Sequence, residues 1–288
     1  ARLATFGGRG DGPGEFRGRA ELRAMPDGNI LVWDEAAGRV SEFEADGALV
    51  RTTLVQSGSM LAGRDLTVLG DGGFALRGPS GDPDQGRPHR RYAYRVFDRT
   101  HATRNPLEVP ASGPWAGLSP LLTLPFSPHL LSTPARGGGL HLADSGRYVV
   151  YRIDSAGAVV DSIRRPAAPL ELLSAERENY QAFVDARLGQ GAPEIPATKP
   201  ILRDLWTAGD GTLVLALHGA GISAPTAEAN SRVTDLPTIQ WSEEQVLDFF
   251  DPSGRFLGRL DLSPGIRLLD VRFPEIWAAR FDAFDRPS

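Results

Sequence analysis

Short apolar runs broken by Asp, Gly and Pro turns organise the chain. Ile30-Leu31-Val32-Trp33-Asp34 follows Pro26-Asp27-Gly28-Asn29, and Arg39-Val40 with Phe43 leads into Asp46-Gly47. Runs this short, rich in β-branched and aromatic residues, have strand length, and the Asp-Gly pairs tolerate the positive φ that tight turns need. Each unit therefore predicts a small antiparallel sheet. The unit recurs at Gly139-Leu140-His141-Leu142-Ala143-Asp144 with Arg147, Tyr151 and Asp154. Looser copies start at Asp71-Gly72-Gly73-Phe74 and at Asp210-Gly211-Thr212-Leu213, broken by polar loops over 78–90 and 218–244.

One such sheet cannot bury both of its faces, whereas sheets stacked around a ring cover one another. The fold expected is all-β, a β-propeller forming a single domain over residues 1–288. Residues 172–189 break the pattern. Tyr180, Phe183, Val184 and Leu188 stand at helical spacing, with Ser174 as the expected N-cap and Gly189 and Gly191 as stop signals. This predicts one helix inserted between the third and fourth blades. At the ends, Leu3-Ala4-Thr5-Phe6 reads as an outermost strand, and Arg267–Val271 with Glu275–Phe281 as inner strands that the first could complete. Counting then gives about five blades, the last a composite; the alternative is a six-bladed parent.

Composition narrows the classes of function. With 41% hydrophobic and 23% charged residues and a net charge of -5, the chain is neither disordered by composition nor basic enough for a nucleic-acid surface. It has no apolar run long enough for a transmembrane helix. Cysteine is absent, which excludes disulfides and thiolate chemistry. Lys199 is the only lysine among 31 basic residues, a bias that GC-rich codon usage explains.

The connector Gly10-Asp11-Gly12-Pro13-Gly14-Glu15-Phe16, with the blade that follows it, resembles those of six-bladed β-propeller proteins of the NHL-repeat type, especially bacterial exported members. The resemblance implies a periplasmic or extracellular location and a blade preceding the connector. It leaves the activity open, because propellers host both enzymes and binding modules.

Candidate chemistry follows from position. Asp34 and Asp144 are blade-equivalent, each followed by an arginine, Arg39 and Arg147; as a group they are the candidate ligand-binding residues at a channel mouth. The competing reading makes each Asp a turn cap. His141 and His218 both lie in first apolar strands and are the candidate ligands of a metal, Zn or Ca, in an alternative reading as a metal-dependent hydrolase or lyase. His89, His101 and His129 read as loop-borne. Arg9-Gly10-Asp11 falls within the connector, and Asp82-Pro83-Asp84-Gln85-Gly86 lacks the twelfth-position Glu of a calcium loop. Trp33, Trp206, Trp241 and Trp277 are expected to pack between blades. The function expected is a non-enzymatic propeller with no cofactor, binding an unknown small molecule or protein at a channel mouth or on the long-loop face.

Overall fold

The structure, a computed structural model, describes residues 6–18, 20–55, 66–79, 92–110, 113–114, 124–136, 138–189, 191–223, 237, 239–263, 266–272 and 275–280. Four of its sheets are four-stranded antiparallel meanders. Blade 1 comprises Ala20–Ala24, Ile30–Asp34, Arg39–Phe43 and Leu49–Leu54; blade 2 comprises Leu66–Val68, Phe74–Pro79, Tyr92–Phe97 and Leu107–Glu108. Blade 3 comprises Leu130–Pro134, Leu140–Asp144, Val149–Ile153 and Val159–Arg164; blade 4 comprises Leu202–Thr207, Leu213–Leu217, Gln245–Phe250 and Phe256–Leu262. A fifth sheet pairs Ile266–Arg272 with Glu275–Arg280.

Strand alternation sends each blade's two apolar faces into layers shared with its neighbours. Leu31, Trp33 and Val40 of blade 1 pack with Leu66, Phe74 and Phe97 of blade 2. Ala75, Tyr94 and Val96 then meet Leu130, Leu140 and Leu142 of blade 3. Val150 and Tyr148 meet Leu205, Leu213 and Leu215 of blade 4, whose other face carries Trp206 and Phe249 against Leu268 and Val271. Each layer is one step around a ring. Trp33 and Trp206 thus pack between blades as expected, while Trp277 is 43% exposed.

Buried polar clips cross the same layers. His101, in the last turn of blade 2, holds a positive φ of 66° and places Nδ1 2.6 Å from Thr53 Oγ1 and Nε2 3.2 Å from Glu42 Oε2 of blade 1. Between blades 3 and 4, Tyr148 Oη donates to Asp248 Oδ2 at 2.5 Å, and Arg259 donates to both oxygens of that carboxylate. The exposed Arg99–Asp27 pair also bridges blades 1 and 2. Solvent screens such a pair, so Arg99→Ala is expected to change stability by no more than about 0.5 kcal/mol in a denaturant titration.

The strand expected to complete the closing pair, residues 3–6, lies mostly outside the described residues. Glu275–Arg280 pairs only with Ile266–Arg272 among the described residues. Residues 3–5 of the expected partner strand lie outside them. Phe6, which is described, stacks on Phe43 of blade 1, with ring centroids 4.9 Å apart.

Helix α1 spans Ser174–Leu188, within the expected 172–189. Its N-cap is Leu173, not Ser174, and no side chain caps it; the helix begins one residue earlier in register because Ser174 already has helical geometry. Gly189 ends it at φ 82°, a left-handed turn that glycine adopts without strain. Val184, Tyr180 and Phe183 pack against Phe126 and Ile195, whereas Leu188 is exposed.

Meander topology separates the two ends of the inner strands. The turn from first to second strand is tight in every blade: the amides of Gly28, Gly72, Gly138 and Gly211 bond the carbonyls of Met25, Leu69, Ala135 and Ala208. At this end Arg136 of blade 3 reaches the Asp210 carbonyl of blade 4. Second-to-third connections and entries into the next blade fall at the opposite end. That end carries helix α1, the hairpin of Gly221–Ser223 with Trp241–Glu243, and the connector. Residues 80–91 and 224–236, most of the two long loops, lie outside the described set.

Candidate functional site

Asp34 ends the second strand of blade 1 and is fully buried. Its Oδ2 accepts the Arg17 amide at 2.7 Å and its Oδ1 accepts the Ala37 amide at 3.2 Å. Arg39 is also buried; it donates to the Asp11 carbonyl at 2.8 Å and to the Glu15 carbonyl. Both side chains thereby hold the connector onto blade 1. Asp144, the equivalent in blade 3, caps its own turn by accepting the Gly146 amide at 2.9 Å. Arg147 is exposed, 3.7 Å from Asp144. The four residues occupy the loop-bearing end in two separate groups.

The two candidate metal-binding histidines are placed far apart. His141 is near the start of its strand, buried, with Nδ1 3.5 Å from Thr207 Oγ1, on the tight-turn side. It lines a small cleft between blades 3 and 4 with Arg152, Asp161, Leu213 and Ser253. Burial, and then Arg152, push its imidazole down to about 4, so it is neutral near pH 7. His218 follows the far end of the strand that Leu213 begins; five residues of strand span about 17 Å. Among the described residues, no three His, Cys, Asp or Glu side chains are gathered so as to hold a metal ion.

His218 belongs instead to a buried ionic knot at the loop-bearing end. Its Nδ1 lies 2.9 Å from Glu243 Oε2. Lys199 Nζ, on the strand returning from helix α1, lies 2.9 Å from Glu243 Oε1 and 2.7 Å from Glu176 Oε1 of the helix, and donates to the Gly219 carbonyl at 3.1 Å. Lysine and Glu176 are each 1% exposed. Arg203 Nη1 stands 3.8 Å from Glu243 Oε2. Burial raises the Glu243 pKa, but hydrogen bonds and charges from His218 and Lys199 outweigh it and hold the carboxyl below its ordinary value. Tyr180 is pushed up to about 12 by burial and by the two glutamates.

Phe126 is the apolar centre of this knot. Its ring meets Tyr180 edge-on at 4.8 Å and His218 at 5.7 Å, and the Lys199 ammonium stands 5.4 Å from its centroid. The residue holds φ 61°, a conformation that a bulky side chain adopts only where its surroundings enforce it. Three residues on, His129 enters blade 3. Its amide bonds Ser145 Oγ at 2.7 Å and its Nδ1 lies 3.1 Å from the Ser127 carbonyl oxygen.

The side chains gathered at this end are thus His129, His218, Glu243, Lys199, Glu176 and Arg203. Of these, the sequence pattern singled out only His218. His129 read as loop-borne, and topology is what brings it here. Lys199 carried a signal: a lone lysine in a chain that otherwise uses arginine.

The fold and site define a β-propeller with one elaborated end. No protein-family model matches the chain, and no curated protein matches it. Among solved structures, a member of the DUF4221 family from Bacteroides vulgatus is 11% identical, over 87% of this chain and 68% of that one, with TM-score 0.45. Virginiamycin B lyase from Staphylococcus aureus is 11% identical over 90% of this chain, which spans 59% of the lyase, with TM-score 0.35. A gluconolactonase from Xanthomonas campestris is 12% identical over 84% of this chain and 61% of that one, with TM-score 0.34. None of these likenesses transfers an activity.

Proposed function

We propose that the chain is a non-enzymatic binding propeller that takes a small molecule or protein segment at the loop-bearing mouth of its channel. The single observation that supports this reading is the use of the reactive side chains at that end. All three donors of Lys199 meet oxygens of the protein, and both oxygens of Glu243 meet cations or donors. Such a lysine joins the helix to blade 4; it is not poised as a nucleophile or base. The NHL-type, six-bladed parentage and the exported, bacterial setting belong to the same reading and rest on the connector and first blade. Asp34, Arg39, Asp144 and Arg147 shape the mouth by holding its turns, and ligand contact falls to the half-buried groups beside them.

A panel of lactones and aryl esters, incubated with the purified chain with and without added zinc or calcium, tests the reading. No turnover above buffer is expected. Turnover that requires metal and disappears in His141→Ala or His218→Ala would establish the hydrolase or lyase alternative and end this one.

A further inference from the structure

The turn between third and fourth strands has the same geometry in blades 2 and 4. In blade 2, Asp98 Oδ1 accepts the Thr100 and Ala102 amides at 2.7 and 3.0 Å, and the Asp98 carbonyl accepts the His101 amide. In blade 4, Asp251 Oδ1 accepts the Ser253 and Arg255 amides at 2.9 and 3.0 Å, and the Asp251 carbonyl accepts the Gly254 amide. Gly254 therefore stands where His101 stands, and the two hold left-handed φ values of 86° and 66°.

His101 acts as a wedge. Its imidazole enters the layer between blades 1 and 2, edge-on to Phe74 at 4.9 Å and beside Glu42, which pairs in register with Leu31 and Arg51. The equivalent rung of blade 3 carries His141, Arg152 and Asp161, and Leu213 of blade 4 takes the place of Phe74. Gly254 inserts no side chain. Between blades 3 and 4 this leaves the cleft already described, with about 290 Å³ of empty space, part of it open to solvent. A methyl on Gly254 would stand 3.3 Å from Ile163 Cγ1 and 4.0 Å from Asp161 Oδ2, so a side chain at that position enters the cleft.

Most of its polar groups are uncommitted. Among the described residues the Arg152 guanidinium makes no hydrogen bond; its ion-pair partner, Asp161 Oδ2, is 3.9 Å away. Asp161 Oδ1 accepts the Ser162 amide, which leaves Oδ2 to that loose pair. His141, neutral near pH 7, is bonded among the described residues only through Nδ1, to Thr207 at 3.5 Å. Asp251, by contrast, is satisfied by its own turn and by Arg255.

We propose that this cleft, at the tight-turn end, is a further binding site, and that it takes a neutral single-ring nitrogen heterocycle. The ring fills the place that the His101 imidazole fills between blades 1 and 2. Its body lies against Val150, Ile163 and Leu213, an N–H donates to Asp161 Oδ2, and a ring nitrogen accepts from Arg152. The charges of Arg152 and Asp161 cancel, which favours a neutral ring with one donor and one acceptor over a small anion or cation. A space of this size admits one ring, since pockets for drug-sized ligands begin at roughly 300 Å³.

Imidazole titrated into the full chain at about pH 8 with EDTA present, followed by NMR of the His141 ring and the Ser253 and Gly254 amides, tests this; probe and His141 are neutral there. Saturable shifts at all three are expected, with a Kd on the order of 1 mM, within reach of a ligand of so few atoms. Gly254→His fills the cleft from its own turn and is expected to weaken binding at least about tenfold. Asp161→Ala, at a half-exposed position, is expected to do the same with an unchanged unfolding midpoint, so the test holds even where Gly254→His fails to fold. Three results overturn the proposal: no shift at imidazole concentrations well above that Kd, acetate moving these resonances while imidazole does not, or undiminished affinity in either folded variant. The loop-bearing mouth lies at the other end of the strands, so the binding reading above is tested separately.

Discussion

Lys199→Met is expected to destabilise the protein by about 3–5 kcal/mol in chemical denaturation, because it removes the cation from a buried charge group and leaves the anions behind. Methionine matches the lysine stem in length, so little of the loss comes from packing. Glu176 suffers most: among the described residues neither of its oxygens has a hydrogen-bond partner, and Lys199 is the cation 2.7 Å from its Oε1. Glu243 retains His218 at 2.9 Å and Arg203 at 3.8 Å. The double variant Lys199→Met with Glu176→Gln removes one charge of each sign and is therefore expected to recover much of the stability lost in Lys199→Met. Hydrogen exchange should show the same order locally, with α1 amides opening first in the single variant. A loss below about 1 kcal/mol in Lys199→Met would mean that water reaches the knot and that the helix is not fastened through it.

That knot also marks the limit of what could be read from the chain. The blades were legible because their information is local: the Gly28, Gly72, Gly138 and Gly211 turns repeat with positive φ, and each precedes an apolar run that becomes the second strand. Helix α1 was legible from the spacing of Tyr180, Phe183 and Val184, which do face Phe126 and Ile195. Its N-cap was not, since no side chain bonds the first turn and Ser174 supplies none of the capping that its identity suggested. The site depends on non-local contacts. Glu176, Lys199, His218 and Glu243 come from a helix, its return strand, a strand end and a hairpin, and no spacing in the sequence links them. Repeat logic also misled: Leu140 to Asp144 and Leu213 to Leu217 are equivalent strands, but His141 stands near the start of its strand and His218 just beyond the end of its own. Equivalent strands do not make equivalent positions.

Paired glycines in blade 3 provide the second large effect. Gly138 and Gly139 both hold positive φ, 91° and 79°, but their surroundings differ. A methyl on Gly138 would meet nothing within 4 Å, whereas one on Gly139 would run into the Ile153 carbonyl oxygen and stand 2.9 Å from the Asp154 Cα. Gly138→Ala therefore costs backbone strain alone, about 1–2 kcal/mol. Gly139→Ala adds a collision with main chain that no rotamer relieves, for a total of about 2–5 kcal/mol. The collision falls where Leu140 pairs Ile153, the first rung between the second and third strands. Moving that rung shifts Leu140 and Leu142, both buried in the layer shared with blade 2, so the damage spreads beyond one turn. Thermal unfolding of the two variants side by side checks the difference. Equal midpoints would show that blade 3 can slide past its own turn, and that the tight-turn end is held by the Arg136 contact to the Asp210 carbonyl more than by the fit of its strands.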